Sequence, residues 1–277
     1  MKNKIVVITF SFLLFVLVNC NKKKDSGGVL KINTNLSFVV KNTFVHNINS
    51  FTEGLYYSKG LFYESTGSPD DLPETKSLFG ILSLKTGIIS EKVVLDKSIF
   101  FGEGVAICKN KIYQLTYKNK IGFVYDSQTF RKIGQFTYDN DEGWGLTSMN
   151  DKYLIMSDGS NILTFFDPLN FKVEKKLKVQ FNGIPINNLN ELEYVKGYIY
   201  ANVYPTNDIV VIDVITGNVV EEIDMSSLYY DSRQKFAGLL EMNGIAYNVD
   251  RGTFFITGKM WPCIYEIKLK KSNLKQW

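Results

Sequence analysis

The sequence is poor in the side chains that build zinc sites and disulfide frameworks. Its 277 residues include one histidine and three cysteines. Zinc sites of the usual His/Cys type and disulfide-stabilised small domains both need more of these residues, gathered at short spacings. The composition therefore excludes a His/Cys zinc site and a disulfide scaffold.

The sequence also lacks the charge imbalance of a nucleic-acid-binding protein. Lysine and arginine number 32 against 28 aspartates and glutamates, and the excess comes from residues 1–28, which hold five lysines and one aspartate. The remaining residues carry equal numbers of both signs, so we expect no nucleic-acid partner. With 45% apolar and 22% charged residues, the composition is that of an ordinary globular protein.

No apolar run is long enough to cross a membrane comfortably as a helix. Met1–Lys4 is short and basic, and the apolar run Ile5–Val18 has 14 residues. A membrane-spanning helix needs about 20. These proportions predict a signal peptide over residues 1–19.

The end of this segment resembles a bacterial lipobox. Leu17-Val18-Asn19-Cys20 ends in a cysteine, although Asn19 stands where a small residue is usual. We expect a lipid on Cys20, and the alternative is an ordinary secretory signal with an incidental cysteine. Residues 20–35 then form a lipidated tether. The protein is expected to be exported and anchored to a bacterial membrane, on its periplasmic or cell-surface side.

Five copies of one short phrase recur along the rest of the chain. In each copy a polar or aromatic anchor residue precedes a glycine (a glutamate in the fourth copy) and then an aliphatic residue. The copies are Thr52–Leu55, Gly102–Val105, Gly143–Leu146, Leu189–Leu192 and Met242–Ile245. A second run of strand-forming residues follows each phrase, at Leu61–Thr66, Lys111–Thr116, Lys152–Ser157, Tyr198–Val203 and Thr253–Thr257.

The spacing of the copies predicts the fold. Short β-branched or aromatic runs, such as Ile121–Tyr125 and Ile162–Phe166, end in turn residues, and only 224–240 could hold a short helix. Units of about 40 to 50 residues with four short strands are typical of β-propeller blades. We therefore predict an all-β chain in which residues 36–277 form a five-bladed β-propeller with a central channel. A β-sandwich or a β-helix fits this spacing less well.

A propeller places the start of each blade's first strand at one mouth of the channel. The anchor residues at these starts vary in type while the neighbouring glycines persist, as expected of a regular scaffold whose rim is adapted to a ligand. The predicted ring consists of Glu53, Glu103, Trp144, Asn190 and Asn243.

Ten phrases, in order over residues 37–269, resemble the plant and bacterial type of glutaminyl cyclase. The phrases are Phe51–Leu55, Tyr63–Gly67, Phe101–Gly104, Gln114–Tyr117, Glu142–Leu146, Ser157–Ser160, Asn190–Tyr194, Ala201–Tyr204, Leu240–Ala246 and Thr257–Pro262. The resemblance implies a five-bladed propeller that converts N-terminal glutaminyl residues of peptides or proteins to pyroglutamate and releases ammonia.

The resemblance also assigns site residues. Glu103 falls on the proposed catalytic carboxylate of the family. The expected substrate-binding residues are Trp144, Asn190 and Lys259, together with Glu53, Tyr117 and Tyr204. The last three depart from the family pattern, because Glu53 stands where glutamine is usual and both tyrosines stand where tryptophan is usual.

These residues suit the chemistry of lactam closure. The α-amine must lose a proton and the departing amide nitrogen must gain one, so a single carboxylate could shuttle both. We expect burial and the neighbouring Glu53 to raise the pKa of Glu103, with Lys259 opposing this. Lys259 could instead stabilise the oxyanion, and Asn190 could select the substrate amide; both assignments stay open.

Two other functions remain as alternatives. One is a non-catalytic surface propeller that binds peptides, which the three departures favour. The other is a lactonase-like hydrolase with a catalytic calcium ion. We expect metal-independent catalysis without a cofactor, leaving open a structural calcium in the channel. We also expect a monomer, a structural or exposed His46, and unpaired thiols at Cys108 and Cys263.

Overall fold

The computed structural model of the chain describes residues 36–270. The predicted signal peptide, the lipid attachment at Cys20 and the tether 20–35 lie outside the described residues. Nearly all of the described chain is β-strand, and one short helix is present among these residues. No helix in the described part is long and apolar enough to cross a membrane.

Five four-stranded antiparallel sheets form the blades, which confirms the predicted five-bladed propeller. The first strand in the chain, β1 (Phe38–Val45), belongs to the last blade. Blade 1 contains β2 (Phe51–Ser58), β3 (Leu61–Gly67), β4 (Leu78–Leu82) and β5 (Ile89–Val94). Blade 2 contains β6 (Gly102–Cys108), β7 (Lys111–Thr116), β8 (Ile121–Asp126) and β9 (Lys132–Thr137).

The remaining blades follow in the same order. Blade 3 contains β10 (Leu146–Met149), β11 (Tyr153–Met156), β12 (Ile162–Phe166) and β13 (Val173–Lys178). A two-stranded hairpin, β14 (Gln180–Phe181) and β15 (Ile184–Pro185), comes next. Blade 4 contains β16 (Leu189–Val195), β17 (Tyr198–Val203), β18 (Asp208–Asp213) and β19 (Val219–Asp224). After the helix α1 (Ser226–Lys235), blade 5 contains β20 (Met242–Asn248), β21 (Thr253–Gly258) and β22 (Cys263–Leu269).

The blades are closed into a ring by the two ends of the described chain. Strand β1 pairs antiparallel with β22, so it supplies the fourth strand of blade 5. His46, which follows β1, then connects blade 5 to blade 1. Its Nε2 lies 3.0 Å from Glu64 Oε1 in β3, and its Nδ1 lies 2.9 Å from the Trp261 carbonyl oxygen. His46 is therefore structural and buried rather than exposed.

Both ring nitrogens of His46 face acceptors, which is the environment of an imidazolium. Burial opposes protonation, but the Glu64 carboxylate more than offsets it, and the pKa of His46 is raised. Stability from this pair is fully present below about pH 6.5 and is lost as the pH rises through the folded-state pKa.

The repeated phrases lie at the starts of the inner strands, and all the predicted anchors except Trp144 coincide with an irregularity in strand pairing. Four of the five inner strands contain a β-bulge at the phrase, between Thr52 and Gly54 in β2 and at the equivalent positions of β6, β16 and β20. A bulge turns a side chain out of its normal alternation. The anchors are thereby redirected at one end of the channel.

The glycines of the phrases allow the inner strands to approach each other. A Cβ at Gly104 would lie 2.4 Å from the backbone nitrogen of Leu146, and one at Gly145 would lie 2.1 Å from the carbonyl oxygen of Asn190. Any larger residue would push adjacent blades apart. Glycine is needed at these two positions because the backbone there is in contact with the backbone of the neighbouring blade.

The fourth phrase carries Glu191 instead of glycine, and its side chain ties three blades together. The fully buried carboxylate accepts hydrogen bonds from the backbone nitrogens of Leu55 in blade 1, at 3.2 Å, and Ile245 in blade 5, at 2.8 Å. These two donors lie away from the paired edges of their strands. Glu191 therefore satisfies backbone groups that would otherwise be buried without a partner.

Helix α1 lies in the only stretch where the sequence allowed one. Its buried Leu228 packs with Met225 and Leu239 into the core shared by blades 4 and 5. Cys108 in blade 2 and Cys263 in blade 5 are both buried free thiols, as expected from their positions in separate units.

Replacing Glu191 by alanine is expected to destabilise the propeller strongly. The change leaves two buried N–H groups without acceptors, at a cost of about 1–3 kcal/mol each, so we expect a loss of several kcal/mol in the free energy of unfolding, measured by denaturant titration. Glu174→Ala, at an exposed position of β13, is the matched control and should change stability by less than about 0.5 kcal/mol. Equal stabilities of the two variants would contradict this role of Glu191.

Candidate active site

A cavity of about 200 Å³ opens at the end of the channel where the inner strands begin. All seven residues predicted for catalysis and substrate binding line it, together with two phenylalanines. The lining residues are Phe51, Glu53, Phe101, Glu103, Tyr117, Trp144, Asn190, Tyr204 and Lys259. Asn243, the remaining member of the predicted ring, does not line the cavity. Its side-chain amide donates a hydrogen bond to Glu53.

The topology explains why residues far apart in sequence meet here. Glu53, Glu103 and Asn190 lie in the bulges at the starts of inner strands, and Trp144 directly precedes β10. Tyr117, Tyr204 and Lys259 directly follow the ends of second strands. Because adjacent strands in a blade are antiparallel, both kinds of position lie at the same end of the propeller.

Glu53 and Lys259 form a buried ion pair across the seam between blades 1 and 5. Lys259 Nζ lies 2.8 Å from Glu53 Oε1, and the Asn243 amide donates a 2.9 Å hydrogen bond to Glu53 Oε2. Burial opposes protonation of Lys259, but Glu53 and Glu103 raise its pKa overall, so it stays an ammonium. Burial also raises the pKa of Glu53 to about 7, although Lys259 and Asn243 act in the opposite direction.

Glu103 is the second buried carboxyl group of the cavity, with 4% of its surface exposed. Burial raises its pKa well above the ordinary value, the Glu53 carboxylate raises it further, and Lys259 opposes the shift. This is the balance expected from the sequence. Two buried carboxyl groups beside one ammonium tend to retain a proton near neutral pH, and the carboxyl groups share it as a coupled pair.

Aromatic rings form the wall of the cavity. Trp144 and Tyr204 meet edge to face with their centroids 5.9 Å apart, and Phe51 and Phe101 meet in the same way at 5.9 Å. Lys259 Nζ lies 4.6 Å from the centre of the Phe51 ring, a cation–π contact that supplements its ion pair. The charged groups behind this wall are buried, which strengthens the interactions among them.

Glu142 holds two of these aromatic residues in place. Its Oε2 accepts a 2.9 Å hydrogen bond from Trp144 Nε1. Burial and the Glu142 carboxylate raise the pKa of Tyr117 to about 12. The hydroxyl that distinguishes Tyr117 from the tryptophan usual in the family therefore has a polar partner.

Asn190 contributes an unsatisfied acceptor. Its side chain is 4% exposed, and Oδ1 has no hydrogen-bond partner among the described residues. A buried amide oxygen without a donor is costly unless a ligand or water supplies one. Since Asn190 lines the cavity, an N–H group of a substrate could donate a hydrogen bond to this oxygen.

Among residues 36–270, no three His, Cys, Asp or Glu side chains form a cluster that could hold a metal ion. The channel carboxylates Glu191 and Glu193 accept hydrogen bonds from backbone N–H groups. A calcium ion bound by these two carboxylates would have to displace those bonds.

A larger cleft of about 580 Å³ lies between blades 1 and 5, away from the channel mouth. Its charged residues are already paired, since Asp250 accepts a hydrogen bond from Tyr57 and Arg251 contacts Glu266. The smaller cavity, with its perturbed carboxyl groups, is the better candidate for chemistry.

Comparisons with known proteins agree with this geometry. The family model described as glutamine cyclotransferase matches residues 11–269. The chain belongs to the glutamine cyclotransferase family. A glutaminyl-peptide cyclotransferase of Arabidopsis thaliana is 33% identical over 267 residues, covering 95% of this chain and 81% of the plant protein. The crystal structure of Myxococcus xanthus glutaminyl cyclase matches with a TM-score of 0.77 and 32% identity, covering 86% of this chain and 98% of that chain.

Sequence reasoning missed Phe51 and Glu142 as parts of the cyclotransferase site. A simple signal could have found them, because each lies two residues before an anchor. In extended chain, residues two apart point the same way. The same offset from Asn243 gives Glu241, whose negative charge raises the pKa values of Glu53 and Lys259.

Replacing Glu53 by glutamine is expected to lower the pKa of Glu103. The change removes a like charge, and it leaves the Lys259 ammonium without its partner, so both effects favour the ionised form of Glu103. The acidic limb of the pH profile of kcat/KM should move to lower pH. The substrate amine titrates identically with both proteins, so the difference between their profiles reports on the enzyme.

The exposed Glu74, in the loop before β4, provides the control Glu74→Gln. It should leave the acidic limb where it is. An unchanged limb in Glu53→Gln, or a shift to higher pH, would contradict the like-charge effect on Glu103.

Proposed function

We propose that the cavity at the channel mouth cyclises an N-terminal glutaminyl residue, with Glu103 as the group that moves the protons. Membership of the glutamine cyclotransferase family makes the chain an enzyme of this type, acting on peptides with N-terminal glutamine. The assignment of roles rests on one observation. Glu103 is a buried carboxyl group of raised pKa, and it shares an aromatic-lined cavity with the Glu53–Lys259 ion pair. Membership of this family does not support the non-catalytic alternative or a calcium-dependent hydrolase.

The reaction forms one bond and breaks one. The α-amine nitrogen attacks the side-chain amide carbon, closing a five-membered ring, and the bond from that carbon to the amide nitrogen then breaks. The amine loses a proton, the departing nitrogen gains one, and the products are pyroglutamate and ammonia. Because nucleophile and electrophile belong to one residue, binding the ring-ready conformer supplies much of the rate enhancement.

Glu103 suits the proton transfers because its pKa is raised towards that of the substrate amine. An α-ammonium group has a pKa of about 7.7–8.0, and a carboxylate of ordinary pKa would be a weak base towards it. The raised pKa makes Glu103 a better-matched base and then, once protonated, an acid for the leaving nitrogen. One carboxyl group can thus serve both steps.

Asn190 and Lys259 provide the contacts that orient the substrate. The unpaired Oδ1 of Asn190 accepts a hydrogen bond from the primary amide, which favours glutamine over glutamate. Lys259 has one N–H engaged by Glu53 and carries positive charge at the wall of the cavity. This charge stabilises the oxyanion that develops on the amide oxygen.

We propose that no metal ion or other cofactor takes part. The proton carrier, the cation and the amide selector are all side chains of this chain, and the channel carboxylates are engaged by backbone donors. Ammonia release should therefore be the same before and after treatment with EDTA.

Replacing Glu103 by glutamine is expected to reduce kcat for ammonia release from a Gln-initiated dipeptide by at least about 100-fold, since general acid–base catalysis contributes about 10²–10⁴-fold. Glutamine keeps the size and hydrogen-bonding capacity of the side chain but cannot carry the proton. The variant should still bind the dipeptide, measured calorimetrically, and should melt near the temperature of the unaltered protein. Activity within tenfold of the unaltered protein would remove Glu103 from the mechanism.

We also propose that the chain is exported and lipidated at Cys20, as its first 20 residues suggest, and that it acts as a monomer. Expression in a bacterium should yield a membrane-associated protein whose N-terminal peptide carries a diacylglycerol thioether on Cys20, detected by mass spectrometry. Cys20→Ser should remove the modification and leave ammonia release by the solubilised protein unchanged. An unmodified Cys20, or cleavage at another residue, would contradict this assignment.

A further inference from the structure

The end of the propeller opposite the active-site cavity carries more basic than acidic residues in its turns. We call this end the far face; it consists of the turns from each first strand to the second and from each third strand to the fourth. Every blade contributes one exposed basic residue from its first turn. These residues are Lys59, Lys109, Lys152, Lys196 and Arg251.

The backbone gives no reason for lysine at three of these turns. Lys59, Lys109 and Lys196 have φ values of 50°, 49° and 48°, in the left-handed region where glycine and asparagine are favoured. A lysine in this conformation raises the backbone energy of the turn and does not stabilise the turn in return. All three residues are exposed. Among residues 36–270 none of them takes part in an ion pair, and Lys59 Nζ donates a 3.0 Å hydrogen bond to the neutral Asn110 Oδ1.

The outer turns add to the positive charge. Lys85, Arg131 and Lys172 are exposed there, and Lys270 lies at the end of the described chain. Five aspartates lie at or beside the same turns, at positions 126, 151, 167, 213 and 250, so the nine basic residues outnumber them and leave the far face with a net positive charge. The cavity end differs, since its loops carry Asp70, Asp71, Glu74, Asp139 and Asp141.

Large aliphatic side chains project from the same far-face turns. Ile215 is 80% exposed, Val249 68%, Leu169 65% and Ile88 59%. Single exposed aliphatic residues are common on protein surfaces. Four at the tips of turns in four blades, interspersed with lysines, form the pattern of a surface that lies on lipid headgroups with its apolar tips inserted.

Both ends of the described chain lie at this face. The backbone nitrogen of Lys270 donates a 2.8 Å hydrogen bond to the carbonyl oxygen of Ser37. From Leu36 back to Cys20 the chain has 16 residues, which can extend at most about 55 Å. Lys22, Lys23 and Lys24 lie within this length, next to the proposed lipid.

We propose that the far face docks onto an anionic membrane surface, so that the active-site cavity opens away from the membrane. Each basic residue close to an anionic leaflet strengthens binding, and the attraction extends over about 8 Å at physiological salt. The even placement around five blades holds the channel axis upright on the surface. This inference stands apart from the proposed reaction, because it uses none of the cavity residues.

The test uses residues 20–277 with Cys20→Ser, so that no lipid contributes. All five blades close within residues 36–270, so this form contains the complete ring. Sedimentation with phosphatidylcholine vesicles should show binding only when phosphatidylglycerol is included, and binding should weaken as salt is added. Replacing Lys59, Lys109, Lys152 and Lys196 together by glutamate should lower the partition coefficient by roughly tenfold or more.

The matched control makes the same charge change at the cavity end, with Lys76, Lys97, Lys120 and Lys178 replaced by glutamate. This variant should bind the anionic vesicles far more tightly than the far-face variant. Thermal melting shows whether both variants are folded; if the far-face glutamates unfold the chain, the corresponding glutamines replace them. Equal binding by the two variants would overturn the proposal, as would dependence on Lys22, Lys23 and Lys24 alone, or binding to an oligonucleotide but not to vesicles.

Discussion

The close approach of the five inner strands is the constraint on which the rest of the molecule depends. Gly104 and Gly145 allow the backbone of one blade to touch that of the next. Where the fourth phrase carries Glu191 instead, the carboxylate bonds to backbone nitrogens of two other blades. The backbones of neighbouring blades therefore lie close together around the channel, and a cavity of about 200 Å³ lies at its mouth.

This packing accounts for the electrostatics of the site. The bulges that accompany the glycines direct Glu53 and Glu103 into one cavity, where both carboxyl groups are buried and neither can be solvated fully by water. A single cation, Lys259, compensates one of them. The remaining carboxyl keeps its proton to higher pH because the scaffold brings like groups together, and this makes it useful for moving protons.

The sequence was informative where a feature repeats and uninformative where it occurs once. Repeated phrases predicted five blades and placed Glu53, Glu103, Trp144 and Asn190 at one mouth, because each phrase has the same place in its blade. The joining of β1 to blade 5 carries no local signal, since its partner β22 lies more than 200 residues later. The balanced total charge likewise concealed the basic far face, because the net charge of a chain does not show where on its surface the charges lie.

The way the ring closes has a consequence for the biogenesis of the enzyme. Strand β1 is made before blade 1, and its partner β22 is made more than 200 residues later. Glu53 in blade 1 and Lys259 in blade 5 meet where these two blades are neighbours. A growing or truncated chain that ends before β22 can therefore neither complete blade 5 nor hold this charged centre in a closed ring. Closure of the ring thus links the activity of the enzyme to an intact polypeptide from β1 to β22.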